Sequence, residues 1–518
     1  MHHISRLLAT NLASAKPALV FLSSRNPPIF SLSMYCIFRG KCLSLYYIHE
    51  INYYTNMRRV LLLTVALLAF VGIESAVAQS RTSYFMEGSY FRSELNPALA
   101  PTRGYLALPG ISGVGIDMSS NYRSVENFLF ERNGELVSGF DPAVSADDFL
   151  GNLPELCNSG TTVNAQILGV GFYKKRKFWS FGIGSHLMAS SSISRDMFST
   201  LKQTGTYVNP NGTASMEGTG YLDAYVGVSF PVCKWLNLGV KAKFLVGVIN
   251  LDFDIDSATT TLAGSDIAGT LRGKWRLNGL LRRNEYIAAD GSYDLPAGVN
   301  DDSFGYLISN AKSFGAAIDF GAEFRLLGDH LRISAAVTDL GFIRWAPETH
   351  VGGNVVADYR FEGLDGNNVL DMNIETNEDS FRPGAYEGYT TRLNCSLNVG
   401  VEYNILNNHI AFGLLSHTRF SNKSYYTELT ASVNFRATNW LTATVSHTFL
   451  NGTKPGIFGA AINIHPAAIN IFLGIDYIGT SYTEYALDSK SLYLPTGATS
   501  YNVYAGVGFN FGRPKHLK

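Results

Sequence analysis

An all-β fold, a transmembrane antiparallel β-barrel of the outer-membrane type with about 14 strands and an N-terminal plug segment, is what three observations on this 518-residue chain predict. Segments of roughly 10 to 13 residues alternate apolar and polar side chains with a period of two, against the 5 or 6 residues usual for strands of soluble sheets. Their connections alternate between tight turns and longer polar loops. An export signal stands ahead of all of them. The totals agree. With 50 glycines, 13% aromatic residues and only 16% charged residues against about 25% in soluble proteins, something other than water covers much of the surface.

Residues 1–56 carry no acidic residue before Glu50 and no hydrophobic periodicity, so they read as an upstream extension ahead of a true start at Met57. Residues 57–78 read as a signal peptide. Arg58 and Arg59 give it a positive start, Val60 to Ile73 is its apolar run, and Ala76-Val77-Ala78 offers the small residues that a signal peptidase cuts after. The run falls short of the roughly 20 residues that span a bilayer as a helix. No cysteine stands at the cut, which argues against a lipoprotein.

After position 78 there are 34 basic and 40 acidic residues, a balance with no nucleic-acid footprint. The three cysteines of that stretch, Cys157, Cys233 and Cys395, are too few and too scattered for a disulfide framework or a metal knuckle.

Residues 79–110 form the expected plug. Tyr84, Phe85, Tyr90, Phe91 and Leu95 alternate with polar Glu87, Arg92 and Glu94, suited to a lumen of mixed charge. A barrel of fourteen strands is wider than the roughly eight-strand size that side chains alone can fill. Asn96, Pro97 and Ala98 are the plug or gating candidates, with Asn96 suited to cap a helical turn and Pro97 to open it.

Residues 111–518 form the expected barrel. In 313–325, Phe314, Ala316, Ile318, Phe320, Ala322 and Phe324 oppose Gly315, Ala317, Asp319, Gly321 and Glu323; the same alternation fills 235–247, 392–403 and 501–511. The strands are expected at about 111–120, 164–173, 178–188, 219–230, 235–249, 313–326, 330–345, 389–404, 408–420, 425–436, 440–450, 456–464, 469–479 and 500–511. Tight turns fall at 174–177, 231–234, 327–329, 405–407, 437–439 and 465–468. Long loops fall at about 121–163, 190–218, 250–312 and 346–388, with strand-like pieces such as 269–280 extending hairpins above the membrane. Phe178, Trp179, Trp235, Trp345, Tyr403, Phe420, Trp440 and Phe449 stand where strands cross the interfaces, the level that aromatic rings favour.

The charges on the face opposite the apolar one are expected inside. Asp223, Lys241, Lys243, Asp319, Glu323, Arg392 and Glu402 are the lumen candidates, with Arg325, Arg332, Arg419 and Asp476 on the same face. Their mixed signs indicate no single-sign ion filter.

Signals of chemistry are weak. Gly-x-Gly pairs such as Gly169-Val170-Gly171 lack the third glycine that opens a nucleotide-binding helix. No Gly-x-Ser-x-Gly elbow is present, and His186, His417, His447 and His465 fall on separate strands or turns. The oxygen-rich stretch from Asp365 to Asp379 lacks the spacing of a Ca²⁺ loop. No enzyme activity, cofactor or metal is expected.

Ser83 to Gly113, with Tyr84-Phe85 ahead of Asn96-Pro97-Ala98 and the stretch from Tyr105 to Pro109, resembles the mature N-terminus of a family of uncharacterised outer-membrane barrels of Bacteroidetes-type bacteria. Thr338 to Trp345, TDLGFIRW, is similar to that family's pattern too. At one remove, Asn96-Pro97-Ala98 is similar to the same triplet of the long-chain fatty-acid transporter (FadL-like) superfamily, fourteen-stranded barrels with an N-terminal plug, and the secretion-associated PorV-like barrels share that architecture. The resemblance implies location in the outer membrane, with lipid and lipopolysaccharide as surroundings. It implies either a channel for a hydrophobic small-molecule ligand or, alternatively, a structural barrel partnered by secretion machinery.

Overall fold

The computed structural model describes residues 36–38 and 41–43 and most of 81–514; within the latter, 123–124, 133–134, 140, 142, 200–204, 210–211, 264–265, 280–310, 363–368, 377–386, 422–424, 451–456, 480–481, 488–489 and 496–500 are not described. The signal expected at 57–78, and Gln79 and Ser80 of the plug, lie outside the described residues. The segment before residue 72 contains, by itself, a short antiparallel hairpin of Cys36–Phe38 and Lys41–Leu43.

From residue 104 onward fourteen antiparallel strands close into a barrel. Strand β1 is split into Gly104–Ala107 and Val114–Ser120. Then follow β2 (Leu156–Lys174), β3 (Lys177–Ser194), β4 (Ala214–Cys233), β5 (Leu236–Ala263), β6 (Ser313–Leu326) and β7 (Leu331–Trp345). Strand β8 is again in two pieces, Tyr389–Arg392 and Cys395–Ile405. The remaining strands are β9 (Ile410–Phe420), β10 (Tyr425–Thr438), β11 (Leu441–Leu450), β12 (Ile457–Ile464), β13 (Ile469–Gly479) and β14 (Tyr501–Phe511). The barrel closes where Phe509 of β14 pairs with Leu106 and Tyr501 with Met118. Closure leaves every stave flanked on both sides, the condition for carrying backbone N–H and C=O groups through hydrocarbon.

Period-two alternation sorts the side chains. On β11 the buried Thr442, Thr444, Ser446 and Thr448 face inward, while Val445 and Phe449 are exposed on the outside. The outer surface carries a belt of such residues, among them Phe244, Phe314, Phe320, Phe342, Phe412, Leu414, Leu473 and Val503. An apolar exterior around a polar interior is the inverse of a soluble protein, and it fits hydrocarbon as the surrounding solvent. Trp235, Tyr403, Trp440 and Phe449 stand exposed near strand ends. Phe178 and Trp345 do not join them: both are buried, Phe178 packed on Tyr105 and Tyr173, Trp345 on Tyr221, Leu245 and Ile343.

The tight connections all lie at one end, which we call the turn side. Leu327, Gly328 and Asp329, and likewise Leu406, Asn407 and Asn408, run through left-handed backbone, which Gly and Asn adopt at little cost. At the opposite, loop side, β5 continues past the barrel wall to pair with Asp266–Asn278, which pairs with His350–Glu362 and that with Val369–Thr376. Tyr122, Val144, Phe149, Leu153 and Cys157 form a separate small core among the loops there.

Candidate functional site

The lumen is filled by residues 81–103. The segment has almost no regular structure, a 3-10 turn at Arg81–Ser83 and a four-residue helix at Arg92–Leu95, and it is held by side chains of the wall. At its loop-side end Arg81 meets Glu428 and lies 3.5 Å from Asp117, and Thr82 is hydrogen bonded to Ser446 (2.6 Å) and Asp476. At the turn side Glu87 pairs with Arg332, and the Gly88 carbonyl accepts from Asn470 Nδ2 at 2.7 Å. The chain then doubles back through Glu94, which pairs with Lys241 at 2.9 Å, to the Asn96 turn.

At Asn96-Pro97-Ala98 the plug backbone lies directly against the wall. Asn96 Oδ1 accepts from the Ala98 N–H at 2.9 Å and its Nδ2 donates to the Tyr84 hydroxyl at 3.1 Å. The Ala98 carbonyl accepts from Ser229 Oγ at 3.2 Å and from Asn237. Asn398 Nδ2 donates to the Leu95 carbonyl at 2.9 Å. This is a turn closed by Leu99 N–H to Asn96 C=O, not the start of a helix, so Pro97 opens no helix. Directly beneath it are Gly239 of β5 and Gly321 of β6, which are cross-strand partners. A Cβ on Gly239 would overlap the Pro97 carbonyl carbon, and one on Gly321 would overlap Asn96 Oδ1. The wall can receive the plug backbone there only because two paired residues lack side chains.

Six of the seven expected lumen charges are buried inside. Lys243 lies 2.9 Å from Asp319 and 2.6 Å from Asp339, and Asp223 lies 2.9 Å from His186 Nε2. Lys241 takes Glu94 of the plug and sits over the Tyr225 ring, 4.5 Å from its centroid. Glu323 pairs with Arg325 at 2.6 Å, and Glu402 with Arg436 and, at 3.6 Å, Arg332.

Arg392 corrects the expectation. Its side chain is exposed, and it stands opposite Phe342 of the outer belt, whereas Glu402 on the same strand stands opposite Arg332. The alternation that would put Arg392 and Glu402 on one face is broken between them. Asp339 on β7 adopts a positive φ of 59° and β8 is interrupted at residues 393–394, so inside and outside exchange there.

Arg81, Glu87, Arg92, Asp339 and Arg436 complete the lumen network; of these only Arg436 carries a period-two signal, continuing the inward face of Glu428, Thr430, Ser432 and Asn434. Arg81, Glu87 and Arg92 lie in the plug and Asp339 at a bulge, where alternation gives no guide. Burial works to raise the Glu87 carboxyl, but the guanidiniums of Arg332, Arg436 and Arg92 outweigh it and hold it well below its ordinary value. Burial depresses the Arg92 guanidinium, against the opposing pull of Glu323, Glu87 and Glu402.

The split in β1 has its own surroundings. Residues 108–113 leave the wall, with Ile111 exposed outside, and rejoin through Gln166 N–H to Gly113 C=O and Val507 N–H to Ile111 C=O. Behind them Tyr90 stacks on Tyr105 with ring centres 4.6 Å apart and meets Phe472 edge-on at 5.5 Å, and Phe91 lies 4.4 Å from Phe472. The Tyr90 hydroxyl donates to the Ser112 carbonyl, so the patch touches the break itself.

Three solved structures show how this fold compares. The Ralstonia pickettii toluene transporter TbuX is 9% identical, with 85% of this chain and 99% of that one covered and a TM-score of 0.37. A Pseudomonas aeruginosa FadL homologue is 12% identical over 85% and 100%, TM-score 0.35. The deltaS2 mutant of TodX, a monoaromatic hydrocarbon channel, is 12% identical over 81% and 94%, TM-score 0.36. No curated protein matches the sequence. Residues 97–476, from Pro97 in the plug to Asp476 in β13, match a family described as a family of unknown function, DUF5723, and the chain belongs to that family.

Proposed function

We propose that the protein is an outer-membrane channel for small hydrophobic molecules, inserted with its turn side toward the periplasm. The observation that carries this reading is the aromatic patch of Tyr90, Phe91, Tyr105, Phe178, Phe472 and Tyr504 lying directly behind the split in β1. The interior holds a second apolar cluster around Trp345 among its paired charges and amides, but it is the Tyr90 patch that touches the split, through the Tyr90 hydroxyl and the Ser112 carbonyl. An apolar molecule gains by burial against aromatic rings, and here those rings adjoin a wall segment not held in a continuous ladder. A filled lumen also argues against a wide aqueous pore.

The test compares cells with and without the protein for uptake of a hydrophobic dye, N-phenylnaphthylamine, which lipopolysaccharide normally retards. Faster uptake is expected with the protein. It should be slowed by Gly113→Val, whose side chain would collide with Phe91 behind the break. Equal uptake in all three strains would end the channel reading.

A further inference from the structure

The turn-side mouth of the lumen holds an open polar cavity of about 650 Å³ between the plug and the wall. Four guanidiniums surround its inner end, Arg92, Arg325, Arg332 and Arg436, and three carboxylates answer them. Glu323 takes Arg325, Glu87 takes Arg332, and Glu402 takes Arg436. Arg103 and Asp329 add one charge of each sign to the lining. His330 and His409 use Nδ1 on the backbone carbonyls of Asn404 and Arg436, and burial, with Arg103 nearby, lowers the affinity of His465 for a proton.

Arg92 is left over. It is 4% exposed, lines the cavity, and its side chain makes no hydrogen bond or ion pair among the described residues. A guanidinium cannot shed its charge at physiological pH, and a buried charge without a partner is strongly unfavourable. The plug nevertheless buries Arg92 on the first turn of its short helix, pointing into a space large enough for a small molecule.

We propose that this cavity binds a small oxyanion, a carboxylate or phosphate group, clasped by Arg92. The planar fork of the guanidinium matches two oxygens of such a group, and the neighbouring arginines add a positive field. Amides at Asn404, Asn407 and Asn408 line the approach from the turn side. The site borders the aromatic patch, with Ala100 and Tyr173 at the edge of both, and does not rest on the channel reading.

Calorimetric titration of the full-length barrel in detergent, at constant ionic strength, tests it with benzoate, inorganic phosphate and chloride as probes. Saturable one-to-one binding of benzoate or phosphate, not matched by chloride, is expected, and the two arms decide which group the site takes. Arg92→Gln should weaken that binding about ten- to hundredfold. Arg92→Lys, which keeps the charge but not the fork, should fall between. Without ligand, Arg92→Gln should melt no lower than the parent, because it removes a buried guanidinium that no side chain ion-pairs or hydrogen bonds. Three results overturn the proposal: unchanged binding by Arg92→Gln, no saturable binding of either oxyanion, or an unliganded Arg92→Gln barrel that melts well below the parent, which would make Arg92 a packing residue.

Discussion

Gly239 and Gly321 show how much can depend on a missing side chain. Each is a glycine on the polar face of a regular strand, easily mistaken for filler, yet the pair is the seat of Asn96-Pro97-Ala98. Gly321→Ala should displace the turn and destabilise the barrel by about 1–3 kcal/mol, the usual range for overpacking. Heated and unheated gel mobility over a temperature series would measure it; an unchanged midpoint would mean that the plug is not seated there. Glu87 carries a prediction of a different kind. Its folded carboxyl titrates below the ordinary 4.5, so the stability it contributes is complete above that pH and is lost as the pH falls below it. Melts taken from about pH 7 down to 3 should therefore drop more steeply for the parent than for Glu87→Gln. Parallel curves would show that Arg332 and Arg436 do not hold Glu87 in solution.

At the scale of the element, β6 and β13 occupy the very residues that alternation and turn spacing predict, and other strands differ mainly by running further into the loops. Period two is readable because each stave meets hydrocarbon on one side and a polar lumen on the other. Two elements break that rule and were not legible. β1 begins at Gly104, earlier than 111, because six residues depart from the strand ladder between its halves. On β7 the bulge at Asp339 reverses the alternation, which turns Trp345 inward and leaves Arg392 outside. Asp339 is suited to this role: its N–H donates to Asp319 Oδ1 at 2.8 Å and its carboxylate takes Lys243 at 2.6 Å. Asp339→Asn, which still tolerates left-handed backbone but loses the charge, should cost roughly 1–3 kcal/mol. Asp339→Val should be worse, since a β-branched residue is strained at positive φ. Denaturant midpoints of the refolded variants check that order, and equal losses would mean that the ion pair, not the backbone, dominates.

At the scale of the whole molecule, residues 81–103 occupy the lumen, which carries the expectation that they seal it. Deleting Arg81 to Arg92 removes the ion pairs to Asp117, Glu428 and Arg332 while leaving all fourteen strands intact. Planar-bilayer recordings should then show stable ionic conductance where the parent is nearly silent. Equal conductance in both would mean that the segment does not seal the lumen. The plug was legible as an unassigned stretch rich in anchors ahead of the first strand. Its partners were not, because they come from strands throughout the barrel and no local pattern ties them to it.

Those partners also impose an order of assembly in time. Thr82 bonds Ser446 and Asp476, which are 364 and 394 positions further along the chain. The stretch that leaves the ribosome early thus waits for the C-terminal strands before it has anything to hold. β1 waits too, since its second neighbour is β14. Contacts so distant in sequence form late, after the chain entropy of closing the large loop has been overcome. The plug cannot template its own barrel. Until the C-terminal strands pair, Thr82 and Tyr90 lack the wall partners that they have in the finished barrel.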